Sequence, residues 1–295
     1  MVINGHEINT VLAPMAGYTD IAFRELCKRR GAGLTVSEMV SVRGLVHGNK
    51  ATRELMKKAD CEVPFAVQLF GNDPRDYEKV AANIDADIID VNMGCPMPKI
   101  VKNGDGSALL NDPARAGDIV RAIKSVTDKP VTVKTRLGFR IGENGVAALV
   151  REVAAAGASA VAIHGRYAEQ RYAGEADRTE IERIAANTDI PVIVNGDIKS
   201  AKVFPPFAAV MIGRAALSNP AIFSGGESEP FATAREHTEL LEKYFDGRYA
   251  VLQARKFFVH YFKGVRGGKE LRDAVNRASS VAEVYRALDA ARGAK

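Results

Sequence analysis

The 295-residue sequence contains no tryptophan, few aromatics (7%) and only three cysteines, Cys27, Cys61 and Cys95, with no C-x-x-C pair among them. Three unpaired-looking thiols exclude a disulfide framework and a structural zinc knuckle, and they suit a reducing compartment. No stretch approaches the roughly 18 consecutive apolar residues of a membrane span, and the amino terminus has no basic segment leading into an apolar run. A soluble, cytoplasmic protein without a membrane partner or bound metal is expected. No G-x-G-x-x-G follows the first apolar run, which argues against an open dinucleotide-binding sheet. Excess charge is also modest, at +5. It is concentrated in residues 251–295, where ten Lys and Arg stand against four acids, while the rest is within one charge of neutral. The basic end suits either a solvated helical surface or a polyanion-binding one.

What the chain does have is a repeated unit. Short β-branched runs occur at 10–17, 34–40, 64–71, 88–95, 130–138, 160–166, 191–198 and 208–216. Helical spacing of apolar residues separates them at 20–30, 74–84, 113–126, 143–156 and 178–186, several of these segments opening on Asp, Asn or Pro. The strands are apolar throughout rather than alternating, as parallel strands covered on both faces must be. Eight such units predict a TIM (β/α)8 barrel over residues 1–228. A small all-helical domain is expected over 229–295, with helices at 231–246, 251–263, 269–276 and 280–291. Within that domain, basic residues from Arg255 to Arg272 alternate with Phe257, Phe258, Tyr261 and Phe262. The aromatics suit a core and the cations a phosphate backbone.

Polar residues fall where such a barrel uses them. Met15, Glu38, Gln68, Asn92 with Cys95, Lys134 with Arg136, His164 with Arg166, Asn195 with Asp197, and Gly213 with Arg214 all end a strand or follow one. In a barrel these ends converge on one mouth, the usual place of the active site. Cys95 sits between Gly94 and Pro96, which predicts an extended, exposed turn; a small buried hydrophobe is the other reading of a lone cysteine. The NGDI and IGRAAL segments after strands seven and eight offer backbone N–H groups for a phosphate, with Arg214 adding charge. A phosphorylated cofactor is expected.

The sequence resembles the tRNA-dihydrouridine synthases over nearly its whole length. The resemblance is carried by APMAGYTD (13–20), DVNMGCPMPKIVKNGDGSALL (90–110), VTVKTRLG (131–138), IHGRYAEQRYAGEAD (163–177), IVNGDI (193–198), MIGRAALSNPAIF (211–223) and RKFFVHYFKG (255–264). It implies FMN reduced by NADPH, tRNA as substrate, and Cys95 as the acid that protonates carbon 5 of a uridine. It further implies a flavin site formed by Pro14, Met15, Gln68, Lys134 and His164. Asn195, Gly196, Asp197, Gly213 and Arg214 correspond to the ribityl and phosphate site, and Asn92, Arg166 and Tyr172 to readers of the uracil edge. The Lys99–Gly106 stretch is either a flap over the uridine or a solvated loop, and a monomer is expected. The chain departs from the family pattern in five places: Ala215 replaces the usual glycine, Val42 stands where a small residue is common, Phe257 where His often follows Arg-Lys, Arg178 where a tryptophan is common, and the segment 199–206 is short for a seventh helix. Two other readings stay open, a flavin barrel acting on a free pyrimidine and a non-catalytic tRNA-binding protein.

Overall fold

The computed structural model describes residues 1–293. Eight parallel strands close on themselves: β1 (Thr10–Leu12), β2 (Leu34–Val36), β3 (Phe65–Phe70), β4 (Ile88–Met93), β5 (Val131–Arg136), β6 (Ala160–His164), β7 (Val192–Asn195) and β8 (Ala209–Ile212). Each pairs with its sequence neighbours, and β8 pairs with β1 to complete the ring. This is the predicted TIM barrel.

Strand alternation divides the apolar residues into two cores. Val11, Leu34, Val36, Ala66, Ile88, Ala160, Ile193 and Ala209 fill the lumen at the amino end of the strands. An antiparallel ribbon of Val2–Ile3 and His6–Glu7 adds Ile3 and Ile8 to that plug. The alternate residues, such as Val67, Val91, Val133, Val161 and Val194, face a shell of helices.

That shell comprises α1 (Ile21–Arg29), α2 (Pro74–Ala81), α3 (Pro113–Lys124), α4 (Gly145–Ala155) and α5 (Thr179–Ala185). Side-chain caps set several of their starts: Asp20, Asp73 and Asp112 accept from the backbone N–H of Phe23, Arg75 and Arg115, and Pro74 and Pro113 occupy first-turn positions where no N–H is needed. Helices Val42–Val46 and Lys50–Glu54 fill the second βα connection, which the apolar spacing alone does not mark. Between β7 and β8 no helix forms among the described residues.

After α6 (Arg214–Ser218), four helices end the chain: α7 (Pro230–Tyr244), α8 (Gly247–Tyr261), α9 (Gly268–Arg277) and α10 (Val281–Gly293). Phe257, Phe258, Tyr261 and Phe262 are all buried, and the Phe257 ring lies 4.9 Å from that of Phe23 on α1. The apolar core therefore runs without a break from barrel shell to tail. Charged contacts edge the same seam: Glu25 on α1 accepts from Lys243 and from the Tyr244 hydroxyl, and Arg30 pairs with Glu236 at 2.5 Å.

Candidate active site

At the carboxyl end of the strands the lumen residues change from apolar to polar. On β4, Ile88 belongs to the plug, while Asp90 and Asn92 rise above it on the same face, two residues apart. In register beside them stand Gln68 of β3 opposite Asp90, and Thr132 and Lys134 of β5 opposite Asp90 and Asn92.

These side chains form one hydrogen-bonded relay. The Thr132 hydroxyl donates to Asp90 Oδ1 at 2.6 Å and Gln68 Nε2 to Asp90 Oδ2 at 2.6 Å. Asn92 Nδ2 donates to Gln68 Oε1 at 2.9 Å, while Asn92 Oδ1 accepts the backbone N–H groups of Cys95 (2.9 Å) and Gly94 (3.2 Å). The Arg136 guanidinium holds the other side of the turn by donating to the Gly94 carbonyl at 3.0 Å. The Cys95 turn is thus fixed from both sides.

Cys95 is half-buried, not exposed as its Gly-Cys-Pro context suggests. Gly106 lies against it, so close that a Cβ there would come within 2.8 Å of the Cys95 carbonyl oxygen, and its φ of +61° also favours glycine. Burial pushes the thiol pKa up, against smaller opposing effects from the Met97 backbone, Arg136 and Lys134. The thiol stays protonated at neutral pH. The segment beyond it is folded: Pro98–Lys102 is a helical turn and Gly106–Asn111 a 3-10 turn, and Ser107 N–H donates back to the Cys95 carbonyl at 3.0 Å.

Cations crowd the opposite side of the mouth. Lys134 Nζ donates to Asn195 Oδ1 at 3.2 Å, and burial, helped by Arg136, lowers its pKa to about 8. Arg166 and Arg214 converge on Asp197, with closest contacts of 2.6 and 2.8 Å. Arg166 also donates to His164 Nε2 at 3.2 Å. Arginine has no acceptor, so that nitrogen carries no proton. Burial, with Lys134, Arg136, Arg166 and Arg214 all nearby, holds His164 far below its usual pKa and keeps it neutral. Gly196 permits this assembly, because with φ +110° a Cβ would lie 2.9 Å from His164 Cδ2 and 2.6 Å from Ala176 Cβ.

The residues expected from sequence divide accordingly. Gln68, Asn92, Cys95, Lys134, His164, Asn195, Gly196, Asp197 and Arg214 meet around the mouth, and Gly213 lies beside Met15, where an added Cβ would be 3.6 Å from Met15 Sδ. Pro14 adjoins Met15 in the same β1 loop. Asn92 and Arg166 are buried, with their polar atoms engaged inside the protein: Asn92 clamps the Cys95 turn, while Arg166 holds Asp197 and the carbonyls of Ala173 and Gly174. The Asp197 carboxylate itself accepts from two arginines and orients them. Tyr172 is exposed, its ring 5.3 Å from the Arg214 guanidinium and 5.7 Å from that of Arg136. Sequence reading gave no role to Asp90, Thr132 or Arg136. The signal for Asp90 was present in the alternation of Asp90 and Asn92 with Val91 and Met93.

A mouth that gathers Lys134, Arg136, Arg166 and Arg214 around a neutral His164 imidazole is built for an anion. This donor set fits a phosphorylated, electron-accepting ring system, and no cluster of metal-ligating side chains occurs among the described residues. Among the described residues, no helix is long and apolar enough to cross a membrane.

The family model described as Dihydrouridine synthase (Dus) matches residues 11–294. The chain is 37% identical over 293 residues to a protein named tRNA-dihydrouridine synthase B from Xanthomonas axonopodis pv. citri, covering 92% of this chain and 88% of the relative. The protein of that name from Pseudomonas aeruginosa is 39% identical over 293 residues, at 90% and 87% coverage. A probable tRNA-dihydrouridine synthase from Rhizobium leguminosarum bv. phaseoli is 36% identical over 304 residues, with 95% of each chain covered.

Proposed function

Because this chain belongs to the dihydrouridine synthase family, we propose that it reduces the carbon 5–carbon 6 double bond of uridines in tRNA, with FMN at the barrel mouth and NADPH as the reductant. The observation that carries this reading is the Cys95 turn, held by Asn92 and Arg136 at the rim of a cationic mouth. When bound, FMN supplies hydride chemistry. The chain's own residues must then position the uracil, provide a proton and tolerate added negative charge.

Saturating the double bond needs one hydride at carbon 6 and one proton at carbon 5. Cys95 is the proton donor: burial keeps its thiol protonated, and Lys134 and Arg136 stabilise the thiolate left behind. Lys134, held by Asn195, keeps a cation at the ring edge. His164, neutral and accepting from Arg166, would border the ring without adding charge. Asp197 fixes Arg214 so that its guanidinium, with the backbone of Gly196 and Gly213, holds the cofactor phosphate. Pro14 and Met15 would flank the flavin ring, and Gln68, held in the relay, would face its edge. Tyr172 is the exposed residue left to read the uridine directly; Asn92 and Arg166 act through the groups they hold.

A uridine must leave the tRNA stack to reach Cys95, at a cost of a few kcal/mol that contacts elsewhere must offset. Residues 229–295 supply part of these through the exposed cations Lys263, Arg266 and Lys269. The test is to map dihydrouridine in tRNA from cells with and without the gene, and to assay the purified protein with unmodified tRNA. An unchanged map, or equal activity on free uracil, overturns the proposal.

A further inference from the structure

Without a helix between β7 and β8, the outer layer of the barrel is open beside the mouth. A cavity of about 210 Å³ fills this gap, lined by Arg178, Ile198, Lys199, Ser200, Lys202 and Phe204. Its floor is apolar, made of buried Ile198 and half-buried Phe204, and the Arg178 guanidinium lies 5.9 Å from the centre of the Phe204 ring. Arg178, Lys199 and Lys202 are all exposed.

Neighbouring cations have carboxylate partners. Arg166 and Arg214 share Asp197, and Arg183 pairs with Glu180 at 2.6 Å. Among the described residues, no carboxylate lies within ion-pair distance of Arg178, Lys199 or Lys202. Three like charges around one cavity repel each other, and an anion with several acceptor oxygens relieves that repulsion. Lys199 follows Asp197 by only two residues, so the cavity adjoins the proposed cofactor site while opening between the β6 and β7 loops, on the other side of β7 from Gly213 and Arg214.

We infer that this cavity seats a backbone phosphate of tRNA next to the reacting uridine. The inference rests on the proposed function and adds a contact that the family pattern does not predict, since it uses Arg178 and the missing helix. A phosphate held here lets Arg178 donate two parallel N–H groups, while the lysines act as point charges. An exposed seat on the rim suits a backbone that runs past the mouth, and it helps offset the cost of extracting the base.

The test is a variant carrying Arg178→Ala, Lys199→Ala and Lys202→Ala, compared with one carrying Lys79→Ala, Arg121→Ala and Lys124→Ala on the outer helices α2 and α3. Both lose three charges, so net charge is matched. The expected result is that the slope of log affinity for tRNA against log salt falls by about 1 in the first variant, as loss of one phosphate contact requires, and KM for tRNA rises at least tenfold. KM for NADPH and the melting curve keep their wild-type values, and the outer-helix variant retains the wild-type slope. An unchanged slope in the first variant overturns the inference, as does a raised KM for NADPH with normal tRNA binding, which would give the seat to a dinucleotide phosphate. The binding arm reads the seat and dihydrouridine formation reads the function, so failure of one is distinguishable from failure of the other.

Discussion

Replacing Asn92 separates what holds the Cys95 turn from what the thiol does. In Asn92→Ala, the N–H groups of Gly94 and Cys95 lose their shared acceptor, and Gln68 Oε1 loses its donor. A buried polar group left without a partner costs about 1–3 kcal/mol. Gly94 is buried and Cys95 half-buried, so a total of about 2–5 kcal/mol is expected, within the range of severe point mutants. In Asn92→Asp the carboxylate still accepts both N–H groups but cannot donate to Gln68. It also sets a second carboxyl two residues from Asp90 on the same strand face, where the two raise each other's pKa. Asn92→Asp should therefore keep the turn at neutral pH, retain more stability than Asn92→Ala, and show a new acidic dependence. Urea denaturation and single-turnover dihydrouridine formation read the two effects. Equal stability of Asn92→Ala and wild type, with an unchanged single-turnover rate, would refute the relay.

Cys95→Ala should lower dihydrouridine formation by about 10²–10⁴-fold while leaving flavin binding intact, as read by single-turnover rate and flavin absorbance. Lys134 is a cation below its pKa of about 8 and neutral above it. Flavin affinity should therefore fall as pH rises through about 8, and Lys134→Arg should move that limb upward; no displacement in the arginine variant would contradict the assignment. Burial raises Asp20 from 3.8 to about 6, so the folded state binds its proton more tightly than the unfolded one. That contribution is fully present below pH 3.8 and is lost as pH rises through about 6, a change of at most about 3 kcal/mol. Asp20→Asn keeps an acceptor for Phe23 N–H and should flatten this part of the stability profile in urea melts.

The barrel was legible because its information is local and repeated. Each βα unit carries a β-branched run, a turn and a cap such as Asp73-Pro74 or Asp112-Pro113, and eight in series admit few topologies. Cys95, Lys134 and His164 were legible because they end strands. Roles were harder to read than positions. Asn92, Arg166 and Asp197 sit at the mouth as expected, yet their partners are Cys95 N–H, Asp197 and Arg214, which are distant in sequence or reached through loops. No spacing rule reports which of two polar atoms at a barrel mouth finds the other first. The helical turn at Pro98–Lys102 overlaps the Lys99–Gly106 stretch expected as a flap or loop; five residues are too few to show a helical period, and the Pro98 that opens the turn marks a helix start as readily as a break. The hairpin at the amino end is too short to give a period at all.

Lys256 on α8 donates to the Gly17 carbonyl and lies 4.6 Å from the centre of the Tyr18 ring, within the β1 loop that also carries Pro14 and Met15. From the other side, Gly17 N–H donates to Glu38 at 2.5 Å. With α1 packed against α7 and Phe23 against Phe257, the tail cannot be treated as a detachable handle. Cutting the chain before Pro230 would uncover an apolar face and also remove one of the two anchors on Gly17. Such a truncated protein would lose the shape of its catalytic rim along with the tail's proposed contacts to tRNA. A fall in its activity could not then be assigned to tRNA binding alone, and grafting the tail onto another barrel would transfer charge without the loop it is fitted to hold.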